Sequence, residues 1–160
     1  IDDSIAKAVS DFDTKVMFDD DGSAAKEREN IEPMTRLAAE ALEPFGKPVF
    51  PEDGSQHRVV MKATGDGWAL DFIGYLDFKF LDHGLIVDLK TTMRMPSVMT
   101  KSHQRQRAFY QKSSGNMAVK FLYVTPKRRA FKEDGDVGEL MAEIKTHLTR
   151  QEVRKRLFGI

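Results

Sequence analysis

Apolar residues recur first at helical and later at alternating spacing, and the change of period organises the chain. Ile5, Ala8, Val9, Phe12 and Val16 share one face of a helix expected over residues 3–18, with Asp2, Asp3 and Ser4 available to cap its start. An acidic turn at 19–23 follows, and then Met34, Leu37, Ala38, Ala41, Leu42 and Phe45 form a second helical stripe. Pro33 lies inside that stripe, so either the helix kinks there or a new helix starts with proline in its first turn. Pro44, Gly46, Pro48 and Pro51 stop helix formation. Beyond them the period falls to two: strands are expected at 59–63, 68–80 and 85–90, joined by turns at 65–67 and 82–84 into a three-stranded meander. A polar helix over 100–112, a loop at 113–116, a strand at 119–125 and an amphipathic helix over 137–154 complete the order. Such an order predicts mixed α/β packing around one central sheet. With no repeat or linker, the 160 residues read as a single domain: a helical extension at 1–22, a core at 24–125 and a closing helix at 137–154.

Composition narrows the chemistry. A hydrophobic content of 41% is enough to offset the entropy of ordering the chain. The absence of cysteine excludes disulfide scaffolds, thiol nucleophiles, thiolate zinc sites and iron-sulfur clusters, so any metal must rest on oxygen or imidazole ligands. No apolar run approaches the roughly 18 residues of a membrane span, and the first 21 residues are acidic, unlike a signal peptide. The expectation is a soluble, cytoplasmic protein with no membrane partner.

Net charge is zero, but its distribution is uneven. Residues 1–53 hold 14 acidic and 6 basic side chains, whereas 89–132 hold 11 basic side chains and no acidic one. A long one-signed stretch in a folded domain is the footprint expected for a polyanion, and it is also what a solvated basic face looks like. The acidic N-terminal helices in turn suit a basic protein partner.

Strand alternation sends Ile86, Asp88 and Lys90 to one face and Leu85, Val87 and Leu89 to the other. A one-residue slip would drive Asp88 and Lys90 into the core, so the apolar set fixes the register. Asp77, on the preceding strand, folds back through the turn at 82–84 towards Asp88. Neighbouring carboxylates repel unless a cation lies between them, and hard oxygen ligands with room for water suit Mg²⁺ or Mn²⁺, as one or two ions. The carbonyl of Leu89 is a candidate further ligand. Lys90 would orient water and offset charge developing on a phosphoryl group.

Three segments, Gly74-Tyr75-Leu76-Asp77, Asp88-Leu89-Lys90 and Gln106-Arg107-Ala108-Phe109-Tyr110, resemble in order and spacing the GxxD, DxK and QxxxY motifs of RecB-type nucleases of the PD-(D/E)XK superfamily. The resemblance implies a restriction-endonuclease-like αβββαβ core in which Asp77 and Asp88 bind metal, Lys90 is the catalytic lysine, and Gln106 and Tyr110 support the site. It also implies a further helix-borne ligand. At the matching place, after Gly22-Ser23, this chain has Lys26-Glu27-Arg28-Glu29, and Glu27 is the candidate, with Glu29 behind it.

Gln106 and Tyr110, four apart, share one helix face with His103. With Arg105 and Arg107 on that helix, and Lys127 and Arg128 after the next strand, they form the expected DNA-contacting set. Trp68, Tyr75 and Phe109 read as core. The function that follows is a metal-dependent deoxyribonuclease, an exonuclease acting on single-stranded or duplex DNA ends in recombination and repair. The alternatives are a non-catalytic nucleic-acid-binding module with vestigial carboxylates and an interaction domain contacting a basic protein through the acidic helices.

Overall fold

The computed structural model describes residues 1–16, 23–54, 56–65 and 68–158. Four helices, α1 (Asp2–Lys15), α2 (Ser23–Leu42), α3 (Lys101–Ser113) and α4 (Val137–Phe158), accompany six strands. The strands are β1 (His57–Gly65), β2 (Trp68–Leu76), β3 (Phe78–Phe80), β4 (Leu85–Thr91), β5 (Ala118–Val124) and β6 (Arg129–Lys132). The fold is mixed α/β. β1 and β2 form an antiparallel pair, and the remaining strands form a sheet in the order β3-β4-β5-β6.

The four-stranded sheet is mixed. β3 and β4 are antiparallel, with Phe78 opposite Val87 and Phe80 opposite Leu85. Along β4 and β5, Ala118 N–H donates to Gly84 O (2.9 Å) and Thr92 N–H to Val124 O (3.0 Å); the partners advance together, so these strands run parallel. Parallel neighbours need a crossover, which α3 provides. β5 and β6 are joined through a tight turn in which Thr125 N–H donates to Arg128 O at 2.9 Å.

Several expectations shift. The long strand expected at 68–80 breaks at Asp77 into β2 and β3, which belong to different sheets. Aspartate disfavours strand interiors and favours bends, which accounts for the break. There is therefore no single three-stranded meander. α2 continues through Pro33, losing only the bond that proline cannot donate. β6, hidden in the basic run at 129–132, carried no alternation strong enough to announce it. The acidic turn expected at 19–23, apart from Ser23, lies outside the described residues, as do Asp66 and Gly67.

Contacts gather the chain into two compact units. The first comprises Ile1–Lys47, Leu89–Met95 and Leu122–Phe131. In it, Arg28 pairs with Asp13 through two bonds (2.7 and 3.0 Å) and Arg36 with Asp2 (2.8 Å), tying α1 to α2. Ile5, Ala38 and Ala41 are buried. Arg129 donates to Leu37 O (3.1 Å) and to Glu40 (2.5 Å), and Phe45 meets Phe131 edge-on at 5.8 Å.

The second unit comprises Pro48–Asp88, Pro96–Phe121 and Lys132–Ile160. Its core includes Leu76, Phe80, Ile86, Val87, Met99, Phe121 and Leu140, each 2% exposed or less. α3 starts at a Thr100 cap whose hydroxyl accepts from His103 N–H (3.2 Å), and α4 starts where Asp136 accepts from Glu139 N–H (2.8 Å). β4 is buried on both faces from Leu85 to Asp88, not on one as its alternation suggested, the pattern of a strand covered above and below the sheet. Among the described residues no helix is long and apolar enough to cross a membrane.

Gly84 turns β3 into β4 with φ +54°, and a Cβ there would meet nothing within 4 Å. The cost of a side chain is therefore conformational only. Gly84→Val should lower unfolding free energy in urea by about 1–2 kcal/mol, and Gly84→Asn by clearly less, since asparagine tolerates the left-handed region.

Candidate active site

The β3-β4 register sets the geometry. The ladder ends with Phe78 opposite Val87, and its register extended by one step would bring Asp77, at the bend, opposite Asp88. Directly opposed residues of an antiparallel pair lie about 4.5–5.5 Å apart at Cα. Asp88 is 2% exposed and Asp77 half-buried. Gln56, just before β1, donates to Asp77 Oδ1 at 2.5 Å.

A chain of hydrogen bonds from α3 braces this pair. Gln106 Nε2 donates to the Tyr110 hydroxyl (2.8 Å), which donates to the carbonyl of Tyr75 (2.8 Å), two residues before Asp77. Burial pushes the Tyr110 phenol above its ordinary range. The bond from Gln106 opposes that rise, the charges of Asp88 and Asp77 add to it, and the bond to Tyr75 O opposes it.

The first residue of the GxxD segment has its own steric reason. A Cβ on Gly74 would lie 2.6 Å from Cε1 of Phe109 and 2.6 Å from Cε1 of Tyr110. Only glycine lets α3 approach β2 closely enough for Tyr110 to reach the Tyr75 carbonyl. Leu76, buried at 1%, anchors the strand end before the bend.

Asp77, Asp88, Gln106 and Tyr110 are thus brought together in the second unit. Lys90 is half-buried in β4, two residues beyond Asp88, where alternation assigns both to one side of the strand. Leu89, between them, is half-buried. Glu27 is exposed in the first turns of α2, in the first unit, as is Glu29. Among the described residues no three of His, Asp or Glu gather into a metal-holding group, which leaves a carboxylate pair, not a triad, in the second unit.

The expected DNA-contacting residues divide. Arg107 is corrected: it is 7% exposed, its guanidinium donates to Gly135 O (2.5 Å), and its Nε has no hydrogen-bond partner, so it serves the interior. His103 is half-buried with its ring 5.7 Å from Phe121. Arg105 is exposed but pairs with Glu143 at 3.2 Å. Lys127 and Arg128 are exposed in the turn after β5, where their backbone N–H groups donate to Thr125 Oγ1 (3.4 and 3.1 Å).

Two residues escaped the sequence reading. Gln56 was legible in principle, because β1 and β2 pair from Gly65↔Trp68 to His57↔Leu76 and the next step opposes Gln56 to Asp77. Tyr75, expected in the core, is 51% exposed; only its carbonyl turns inward. Phe109 is buried as expected.

No family model matches the chain, and no curated protein matches it. Among solved structures, the chain is similar to SSO0001 over 77% of its length, with a TM-score of 0.52 and 16% identity. The chain spans 60% of the length of SSO0001. Likeness at that identity speaks to the fold alone, and it agrees with the mixed α/β architecture.

Gly74→Ala should lower stability by about 1–3 kcal/mol in urea titration, the usual cost of overpacking. The raised Tyr110 pKa means the native state holds that proton more tightly than the unfolded chain. Stability is therefore untouched below the ordinary phenol value of about 10 and falls as pH rises from there through the raised native value. Tyr110→Phe should flatten this alkaline decline relative to wild type, measured by thermal unfolding between about pH 8 and 11.

Proposed function

We propose that the chain is a metal-dependent deoxyribonuclease of the PD-(D/E)XK type, RecB-like, hydrolysing phosphodiester bonds, most naturally from DNA ends. What supports this reading is the β3-β4 register, which extended one step past Phe78↔Val87 would oppose Asp77 to Asp88, together with the Gln106–Tyr110–Tyr75 hydrogen bonds that run from α3 to the strand end before Asp77. The order of elements around it, α2, then the four strands β1 to β4 with a bend at Asp77, then α3 and a β5 parallel to β4, supports the restriction-endonuclease-like core.

The donors fit a hard divalent ion. Mg²⁺ is commonly held by one or two carboxylates together with water and substrate phosphate oxygens, so a pair suffices where no third carboxylate gathers. Asp77 and Asp88 would hold Mg²⁺ or Mn²⁺, with the Leu89 carbonyl as a further oxygen. The ion supplies polarisation of a phosphoryl oxygen and a lowered pKa for water.

The chain's own groups do the rest. Lys90, on the Asp88 side of β4, orients the attacking water and offsets charge growing on the phosphoryl oxygens. Tyr110 stays protonated beside two carboxylates and so keeps donating to the Tyr75 carbonyl, fixing the bend that presents Asp77. Gln106 holds the phenol from behind, making both α3 residues positioning groups. Gln56 steadies Asp77 by donating to its Oδ1.

The test is degradation of end-labelled single- and double-stranded DNA in Mn²⁺. Wild type should degrade DNA and stop on chelation, whereas Lys90→Ala and Asp88→Asn should be slower by roughly 10²-fold or more, as expected for lost transition-state charge stabilisation. Circular dichroism establishes that the variants fold. Binding of DNA with no metal-dependent cleavage by wild type would favour a non-catalytic binding module instead. Equal rates for wild type and Lys90→Ala would remove the role given to Lys90.

A further inference from the structure

We propose that the outer edge of β1, with the cleft between β1 and α4, receives an extended acidic peptide from a protein partner, added as a strand beside β1. β1 is nine residues long and pairs only with β2, so its other edge presents backbone N–H and C=O groups that no strand takes up among the described residues. Proteins commonly blunt such an edge with proline, a bulge or surface cations. β1 has no proline, and its ladder runs without a skipped residue from His57↔Leu76 to Gly65↔Trp68. Its edge carries only the cations Arg58 and Lys62, which repel a second copy of the same edge but attract an acidic one.

Alternation along β1 divides its side chains. Arg58, Val60, Lys62 and Thr64 are exposed on one face, whereas His57, Val59 and Met61 are half-buried on the other. A cleft of about 360 Å³ opens beside β1 within the second unit, with Met61, Met141, Ile144 and Leu148 as its apolar lining. Methionine side chains adapt to differing partners. Lys62 and Lys145 line the cleft as well, and no carboxylate does. Both lysines and Arg58 are exposed and form no ion pair among the described residues, Lys62 not even with Asp71 opposite it on β2.

These features select the occupant. A strand laid along β1 shares its alternation, so every second side chain falls beside Arg58 and Lys62 while the others turn towards the cleft. The fitting sequence therefore alternates acidic with apolar residues. Backbone chemistry favours a peptide over a nucleic acid, because an open strand edge offers donors and acceptors in turn, which another peptide matches and a phosphate backbone, having acceptors alone, does not.

The test uses the whole chain and fluorescein-labelled peptides followed by anisotropy. The probe is a short peptide alternating glutamate with valine; one comparator has lysine for glutamate, and another is N-methylated at alternate amides, which removes strand bonds but keeps charge and side chains. Wild type should bind the glutamate peptide, more weakly as salt rises, and roughly tenfold or more above either comparator. Amide exchange at residues 57–64 should slow on binding. Lys62→Glu combined with Lys145→Glu should lose the glutamate peptide and take up the lysine one, with thermal unfolding unchanged because both side chains are exposed. Failure of wild type to bind the glutamate peptide, equal binding of either comparator, or unaltered exchange along β1 would overturn the proposal. Oligothymidylate bound by wild type and lost in the double variant, with no peptide bound, would overturn it in favour of nucleic acid.

Discussion

Two like charges held on opposed positions of a short hairpin are the constraint around which the second unit is arranged. At about 5 Å and an effective dielectric of about 20, a pair of carboxylates repels by roughly 3 kcal/mol. β3 is only three residues long, so its own hydrogen bonds cannot impose that pairing. The apolar side chains do so: Phe80, Leu85 and Val87 are buried on one face of the hairpin and Ile86 on the other, and a slip of one residue would exchange the two packed sets and drive Asp88 to the opposite face. Hydrophobic burial thus fixes the register that brings the two carboxyl-bearing positions towards each other.

A strand alone would still leave Asp77 free to swing, because it lies at the bend and outside both strands. The restraint comes from α3. Tyr110 reaches across to the carbonyl of Tyr75, and the approach is possible only because Gly74 has no side chain where the two rings pass. A lysine or arginine in the same place would neutralise the carboxylates and compete with a metal, and an acid would add to their repulsion. A neutral phenol does neither. The phenol is neutral at ordinary pH, and burial raises its pKa further, so the donor to the Tyr75 carbonyl is retained into alkaline solution.

The elements with the clearest period were readable from the chain: α3, β4 and β5 fall within a residue or two of where alternation and helical spacing put them. The β3-β4 hairpin was legible because the turn at Gly84 fixes it, and counting on from Phe78 opposite Val87 leads to Asp77 and Asp88. What escaped depended on tertiary surroundings. Arg107 sits on the same helix as exposed Arg105, and nothing in its type reveals that the carbonyl of Gly135 receives its guanidinium. The break between β2 and β3 turns on one aspartate in an otherwise continuous apolar run. Tyr75 looked like core because its neighbours are, yet alternation with buried Gly74 and Leu76 sends it outwards.

The same lesson governs the charge argument. Residues 89–132 contain 11 cations and no acid, which by simple counting implies a strongly phosphate-seeking surface. The structure reduces that number. Arg107 is interior, Arg105 and Lys101 share Glu143, Arg129 is engaged by Glu40, and Lys132 donates to the carbonyl of Ser97. Arg94, Lys120, Lys127 and Arg128 take part in no ion pair among the described residues. Each phosphate contact contributes about 0.9 to the salt slope on duplex DNA, so a handful of available cations gives a shallow dependence where the full count would give a steep one. Electrostatics of that strength cannot by itself hold a polyanion firmly at physiological salt. Counting cations along 89–132 therefore overstates the field that this stretch presents once its ion pairs and buried guanidinium are in place.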